Sequence, residues 1–135
     1  MKNSLLFSLV VLASSPVFGF SGDGTPFKYI SSCELDLNGD QVADKAVLVE
    51  GIAGRELLAL IAKGKTYETF VVSKGREKMF LQCKIGPSVK ESSAAGGTGK
   101  IVKTPGAYLE LFAPESSSVA FVWNKGSFQE VWTGD

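Results

Sequence analysis

A mainly β fold is what this sequence predicts: an antiparallel meander, or compact β-sheet domain, of about seven to eight strands. Three observations carry that expectation. Apolar and polar residues alternate over short runs instead of recurring at helical spacing. Those runs are rich in β-branched and aromatic side chains, with 9 Phe, 3 Tyr and 2 Trp in 135 residues. Clusters of Gly, Asn and Ser separate the runs, as turns do.

The chain begins with a segment of another kind. Residues 1–19 have the three parts of a secretory leader: Lys2 at the start, an apolar core from Leu5 to Ala13, and a small-residue cleavage site at Val17-Phe18-Gly19. That core is too short to span a bilayer, so removal after Gly19 and export are expected, to a periplasmic or extracellular location with no membrane span remaining. The remainder, 20–135, is one β domain by length. Lys2 is the leader's only charge, so the exported chain carries 13 basic and 14 acidic side chains. Such a balance offers no electrostatic footprint for nucleic acid or a membrane surface.

Taken in order, the first strand is signalled by Cys33, Leu35 and Leu37 alternating with Glu34 and Asp36. An acidic loop comes next, then the apolar run Ala46–Glu50. Residues 56–62, "ELLALIA", are apolar on both faces and read equally as a central strand or a short buried helix. Residues 66–72, "TYETFVV", read as a strand. Met79, Leu81, Cys83 and Ile85 form the next inward row, alternating with Phe80, Gln82 and Lys84. Residues 87–99, "PSVKESSAAGGTG", read as a flexible loop. Strands at 108–113, 118–123 and 127–132 close the chain, the last two joined by the turn signal Asn124-Lys125-Gly126. The aromatic residues of this tail are expected in the core and in cross-strand pairs.

Cys33 and Cys83 are the only cysteines. In an exported chain such a pair is most simply a disulfide, the alternative being two buried thiols. Closing a loop of about 50 residues stabilises by roughly 4 kcal/mol on the chain-entropy model.

The acidic loop holds the clearest chemistry. Counting from Asp36, the positions numbered 1, 3, 5 and 9 are Asp36, Asn38, Asp40 and Asp44, and Val42 at position 7 offers a backbone carbonyl. Hard divalent cations such as calcium take six to eight oxygens at about 2.3–2.6 Å, and alternate oxygens on a tight loop wrap around one ion. Closely set carboxylates repel, and a cation between them relieves the repulsion. An EF-hand is excluded, because Gln41 and Val47 stand where it has Gly and Glu. A plain type I′ turn over Leu37-Asn38-Gly39-Asp40 is the other way to read the same residues.

The run "DLNGDQVAD" followed by "KAVLV" resembles the calcium loop of FG-GAP repeats, also called VCBS repeats, the blades of integrin-α-type propellers and of many secreted bacterial proteins. That family has Gly where Gln41 stands and an aliphatic residue where Lys45 stands. The resemblance implies one structural calcium ion on Asp36, Asn38, Asp40, Val42 and Asp44. It covers the loop alone, and a full propeller needs at least about four blades of four strands, more than this chain has.

Catalytic groups are sparse. No histidine is present, which removes Ser-His-Asp and Cys-His arrangements and any imidazole base. "AAGGTGK" (94–100) departs from a phosphate loop at Ala94 and Ile101. Lys63, Lys65, Lys74, Arg76, Lys78 and Lys84 are expected on outer strand faces and turns. The function expected is therefore that of a non-enzymatic exported binding domain, of the inhibitor, immunity or accessory kind, whose partner is another exported or envelope protein. Two alternatives are a small envelope-polymer hydrolase using carboxylates or the bound ion, and a metal-free acidic docking domain.

Overall fold

The computed structural model describes residues 17–20, 26–76 and 78–134. Positions 1–16 of the expected leader lie outside the described residues, while Val17–Phe20 form a short strand, β1. The other strands are β2 (Pro26–Leu35), β3 (Asp44–Gly51), β4 (Gly54–Lys63), β5 (Thr66–Ser73), β6 (Phe80–Lys90), β7 (Ile101–Phe112), β8 (Ser118–Asn124) and β9 (Ser127–Gly134). One sheet has the order β1-β2-β3-β4-β5 and the other β6-β7-β8-β9. Strands pair antiparallel in both sheets. The protein is a small antiparallel β fold, not a propeller. The chain divides into two compact units, Met1–Cys33 with Lys45–Glu77 and Glu34–Asp44 with Lys78–Asp135.

In the first unit β3 and β4 are the buried strands. Ala46, Val47, Leu48 and Val49 are buried in succession, as are Ala59, Leu60, Ile61 and Ala62. Strands with neighbours on both edges and cover on both faces read as continuous apolar runs, not as alternation. This decides residues 56–62 for strand. A helix there would leave the backbone edges of β3 and β5 without ladder partners, and the Leu and Ala preference is too weak to outweigh those bonds. The β4–β5 pairing runs through to Lys63 opposite Thr66, leaving Gly64-Lys65 as the turn. Phe27, Tyr29, Leu58 and Tyr67 pack on a core of Val47, Val49 and Leu60.

The second unit buries Leu109, Leu111, Val119 and Phe121 among its strands. A second cluster unites Val89, Val102, Ala120, Val122 and Val131, with Tyr108 against it. Between Gly86 opposite Gly106 and Ser88 opposite Lys103, the single residue Pro87 faces Thr104 and Pro105, a β-bulge. A bulge is where a strand tolerates proline, because the ladder bond that proline cannot donate is already missing. Thr104 Oγ1 donates to the Gly86 carbonyl and accepts from Gly106 N–H at 3.0 Å, so a side chain replaces the lost bonds. The expected loop at 87–99 is corrected accordingly. Pro87–Lys90 belong to β6, and β7 begins seven residues before the expected Tyr108.

Three further corrections concern single residues. β2 ends at Leu35, so Leu37 lies in the loop instead of continuing the strand, yet it is completely buried. Ile85, expected inward, is 88% exposed beside the bulge, where the alternation of β6 is interrupted. Trp132 is 46% exposed, whereas Trp123 makes the expected cross-strand pair with Phe128, edge to face at 5.3 Å. Lys125 and Gly126 both take positive φ between these strands, as a type I′ turn requires. Cys33 and Cys83 form the disulfide.

Candidate metal centre

Strand β2 delivers the chain into the loop and β3 takes it out, with Asp44 as the first residue of β3. Between them Asp36 winds the loop. Its Oδ1 accepts from the N–H groups of Gly39 (2.8 Å) and Asp40 (3.2 Å), and its Oδ2 from that of Gln41 (2.7 Å). Asn38 Oδ1 also accepts from Asp40 N–H at 3.2 Å, and Asp40 Oδ1 from Val42 N–H at 2.9 Å. Short side chains that bond the backbone a few residues on hold such turns without any ladder.

The far end is tied across the loop. Asp44, fully buried, accepts from Leu37 N–H at 2.8 Å, and Leu37 is itself fully buried. One apolar side chain and one carboxylate thus close the loop at its base. The consequence is that carboxylate oxygens of Asp36, Asp40 and Asp44 lie within 4.8 Å of one another, the acidic group of this kind found among the described residues.

Two backbone conformations make the turn possible. Gly39 has φ +81°, and a Cβ on it would stand 3.0 Å from the Pro105 Cβ, so space and conformation both favour glycine. Gln41, where the FG-GAP pattern has Gly, takes φ +68°. That is the left-handed region, which costs a residue with a Cβ about 1–2 kcal/mol. Asn38 does not take positive φ. The loop is consequently not the type I′ turn that its Asn-Gly pair suggests, because that turn needs positive φ at both central residues.

Lys45 follows Asp44, and strand alternation sends their side chains to opposite faces. Lys45 Nζ stands 5.9 Å from the centre of the Tyr67 ring. Three of the six basic residues noted in the sequence have separate partners. Lys63 lies 3.8 Å from Glu68, Arg76 Nε donates to Ser73 Oγ at 2.7 Å, and Lys84 meets Glu110 at 2.9 Å.

Comparison with protein-family models, with curated proteins and with solved structures gives no match. The chemistry of the donor set is then the guide to what the loop could hold. The side chains offered are three carboxylates and one amide, with neither imidazole nor thiolate, which suits a hard, oxygen-seeking cation over zinc or copper. Leu37 and Pro105, which support the loop, carried no functional signal in the sequence. Any apolar residue looks alike until the fold shows what it closes.

Proposed function

We propose that the loop Asp36–Asp44 holds one calcium ion as a structural element, and that the protein is an exported, non-enzymatic domain acting by contact with another exported or envelope protein. The observation that supports this most is the convergence of Asp36, Asp40 and Asp44 within 4.8 Å. Asn38 would add its amide oxygen and Val42 its backbone carbonyl. Bound there, calcium neutralises the carboxylates and fixes the loop; the chain's own residues supply everything else. The hydrogen bonds from Gly39, Asp40, Gln41, Val42 and Leu37 already orient the acidic groups, so little ordering entropy remains to oppose binding.

Export is supported by the leader at 1–19 and by the disulfide, which persists in oxidising compartments. The absence of histidine from the whole sequence supports a binding role over acid–base catalysis.

Thermal melts of the mature protein in calcium and in chelator test the metal. Calcium should raise the midpoint, and Asp40→Ala should abolish the difference; identical wild-type melts would end the proposal. Affinity capture from the organism's own envelope fraction, run in parallel with calcium and with chelator, tests the partner. Capture that is salt-sensitive and indifferent to calcium would favour the metal-free docking domain instead.

A further inference from the structure

In the second unit's sheet the pairing register lines up two rows of side chains on one face, since residues two apart on a strand point the same way. One row is Phe80, Phe112, Ser118 and Gly134, and the next is Gln82, Glu110 and Ala120. Each row tapers from a large residue on β6 to a small one at its far end. An open cleft of about 430 Å³ lies over this taper, lined by Gln82, Glu110, Phe112, Ser118 and Gly134 and by the β7–β8 turn. Its size is within the range of small-ligand sites. A Cβ on Gly134 would stand 2.9 Å from Ser118 Oγ, so glycine keeps space open beside that hydroxyl. The turn is held by Ser116 N–H donating to the Ala113 carbonyl at 3.2 Å and Ala113 N–H to that of Ser117 at 2.9 Å. It adds Glu115, Ser116 and Ser117 to the lining.

Hydrogen bonding decides what each of these groups can still offer. Lys84 Nζ meets Glu110 Oε1 at 2.9 Å, and the Thr133 hydroxyl donates to Glu110 Oε2 at 3.1 Å. With its one proton committed there, Thr133 Oγ1 accepts from the Ser118 hydroxyl at 2.8 Å. Ser118 and Glu110 are therefore left with lone pairs alone, as acceptors. The Gln82 amide and the hydroxyls of Ser116 and Ser117 both donate and accept, and they have no hydrogen-bond partner among the described residues.

We infer that this cleft binds a neutral pyranose sugar, with Glu110, Ser118, Gln82 and the serines of the turn as partners for its hydroxyls. Each sugar hydroxyl both donates and accepts, so several on one ring match a lining that mixes acceptors with groups doing both. Phe112, whose ring centre lies 6.0 Å from that of Phe80, adds apolar surface for the C–H side of the ring. Three other ligand classes fit less well. An anion would meet the carboxylates of Glu110 and Glu115 and, among the described lining residues, no basic one. A cation would find the Glu110 charge already paired with Lys84, leaving Glu115, which is exposed and screened by water. A wholly apolar ligand would strip water from Gln82 and the serines without replacing it.

The test is a titration of the folded mature protein with the methyl glycosides of glucose, galactose, mannose and N-acetylglucosamine, followed by NMR shifts. Sorbitol carries similar hydroxyls without a ring, and tetramethylammonium chloride stands for the cation. At least one glycoside should move the Gln82 side-chain amide and the backbone amides of 115–118 and Gly134, with both controls inert. Cellotetraose and N-acetylchitotetraose present two of these rings in a chain. Tighter binding of a tetrasaccharide than of its methyl glycoside assigns the cleft to a glycan chain, and equal binding to a single sugar. Gln82→Ala should weaken binding about three- to tenfold with the melting temperature unchanged, since that amide holds nothing in the fold. Gly134→Ala, which fills the space beside Ser118, should weaken it by a similar factor. Shifts from no glycoside, equal shifts from sorbitol, or shifts from tetramethylammonium alone overturn the inference, whatever the variants do. Binding unchanged in both variants places the sugar elsewhere and overturns it as well. The inference is independent of the calcium proposal, and its failure would leave the calcium-dependent melts as they are.

Discussion

Replacing Asp44 separates what this residue does for the fold from what it does for an ion. Its carboxylate shares the 4.8 Å cluster with Asp36 and Asp40. At that separation one pair of charges repels by about 1 kcal/mol in water-like surroundings and by about 3.5 kcal/mol at an effective dielectric of 20. Asp44→Asn removes this repulsion while keeping an oxygen to accept the Leu37 N–H. Without calcium the variant should therefore melt at or above the wild-type temperature. Asp44→Ala removes the acceptor as well and leaves a buried N–H unpaired, at a cost of about 1–3 kcal/mol. It should melt several degrees lower. With calcium at 100 times its dissociation constant the wild type gains about 2.7 kcal/mol. For a domain of this size that corresponds to roughly 10 °C. Both variants should lose most of that gain. Circular dichroism melts of the three proteins, in calcium and in chelator, give all six numbers. A full calcium shift in Asp44→Asn would refute the assignment of Asp44 as a ligand. Equal chelator midpoints for Asn and Ala would refute its role in closing the loop.

Gln41→Gly should relieve the left-handed strain, raising the unfolding free energy from urea denaturation by about 0.5–1 kcal/mol and tightening calcium binding in calorimetry; a lowered value would contradict the strain argument. Gly39→Ala should do the opposite, losing about 1–2 kcal/mol from its positive φ and from contact with Pro105, read in the same denaturation series. Replacing both Cys33 and Cys83 by Ser should cost roughly 4 kcal/mol, and a change below about 1 kcal/mol would deny the disulfide a stabilising role. The Lys84–Glu110 pair gives an alkaline signature. The hydrogen bond to Glu110 raises the Lys84 pKa above 10.5, so its contribution is complete below that pH and disappears as pH rises through the folded value. Urea midpoints from pH 8 to about 12 should therefore fall more steeply for the wild type than for Lys84→Met; parallel curves would count against the pair.

Several features could be read without the fold because they depend on neighbours in the chain. Alternation predicted the β class, and Lys125-Gly126 behaved as the turn residues they are. The spacing of Asp36, Asn38, Asp40 and Asp44 pointed to a loop of converging oxygens for the same local reason: hydrogen bonds from residues two to five positions on shape it. Residues 56–62 could not be decided in that way. Strand or helix depended on whether β3 and β5 were present to complete the ladder. Pro87 falls in the stretch expected as a loop, yet a bulge absorbs it, with Pro105 opposite, within two long strands because Thr104 supplies the missing hydrogen bond.

The order of residues was enough for the β class, the candidate pair of cysteines and the chemistry of the acidic loop. Folding was needed to show that Leu37 leaves the strand to close that loop, and that Asp44 is buried beneath it. Folding also revealed that Gln41 bears the strain of a left-handed backbone, and that Trp132 stays half exposed instead of joining the core. The physical reason is common to all four. Residue type tells which interactions a side chain can make, but burial and backbone conformation are set by partners distant in sequence, and only the folded chain brings those partners together.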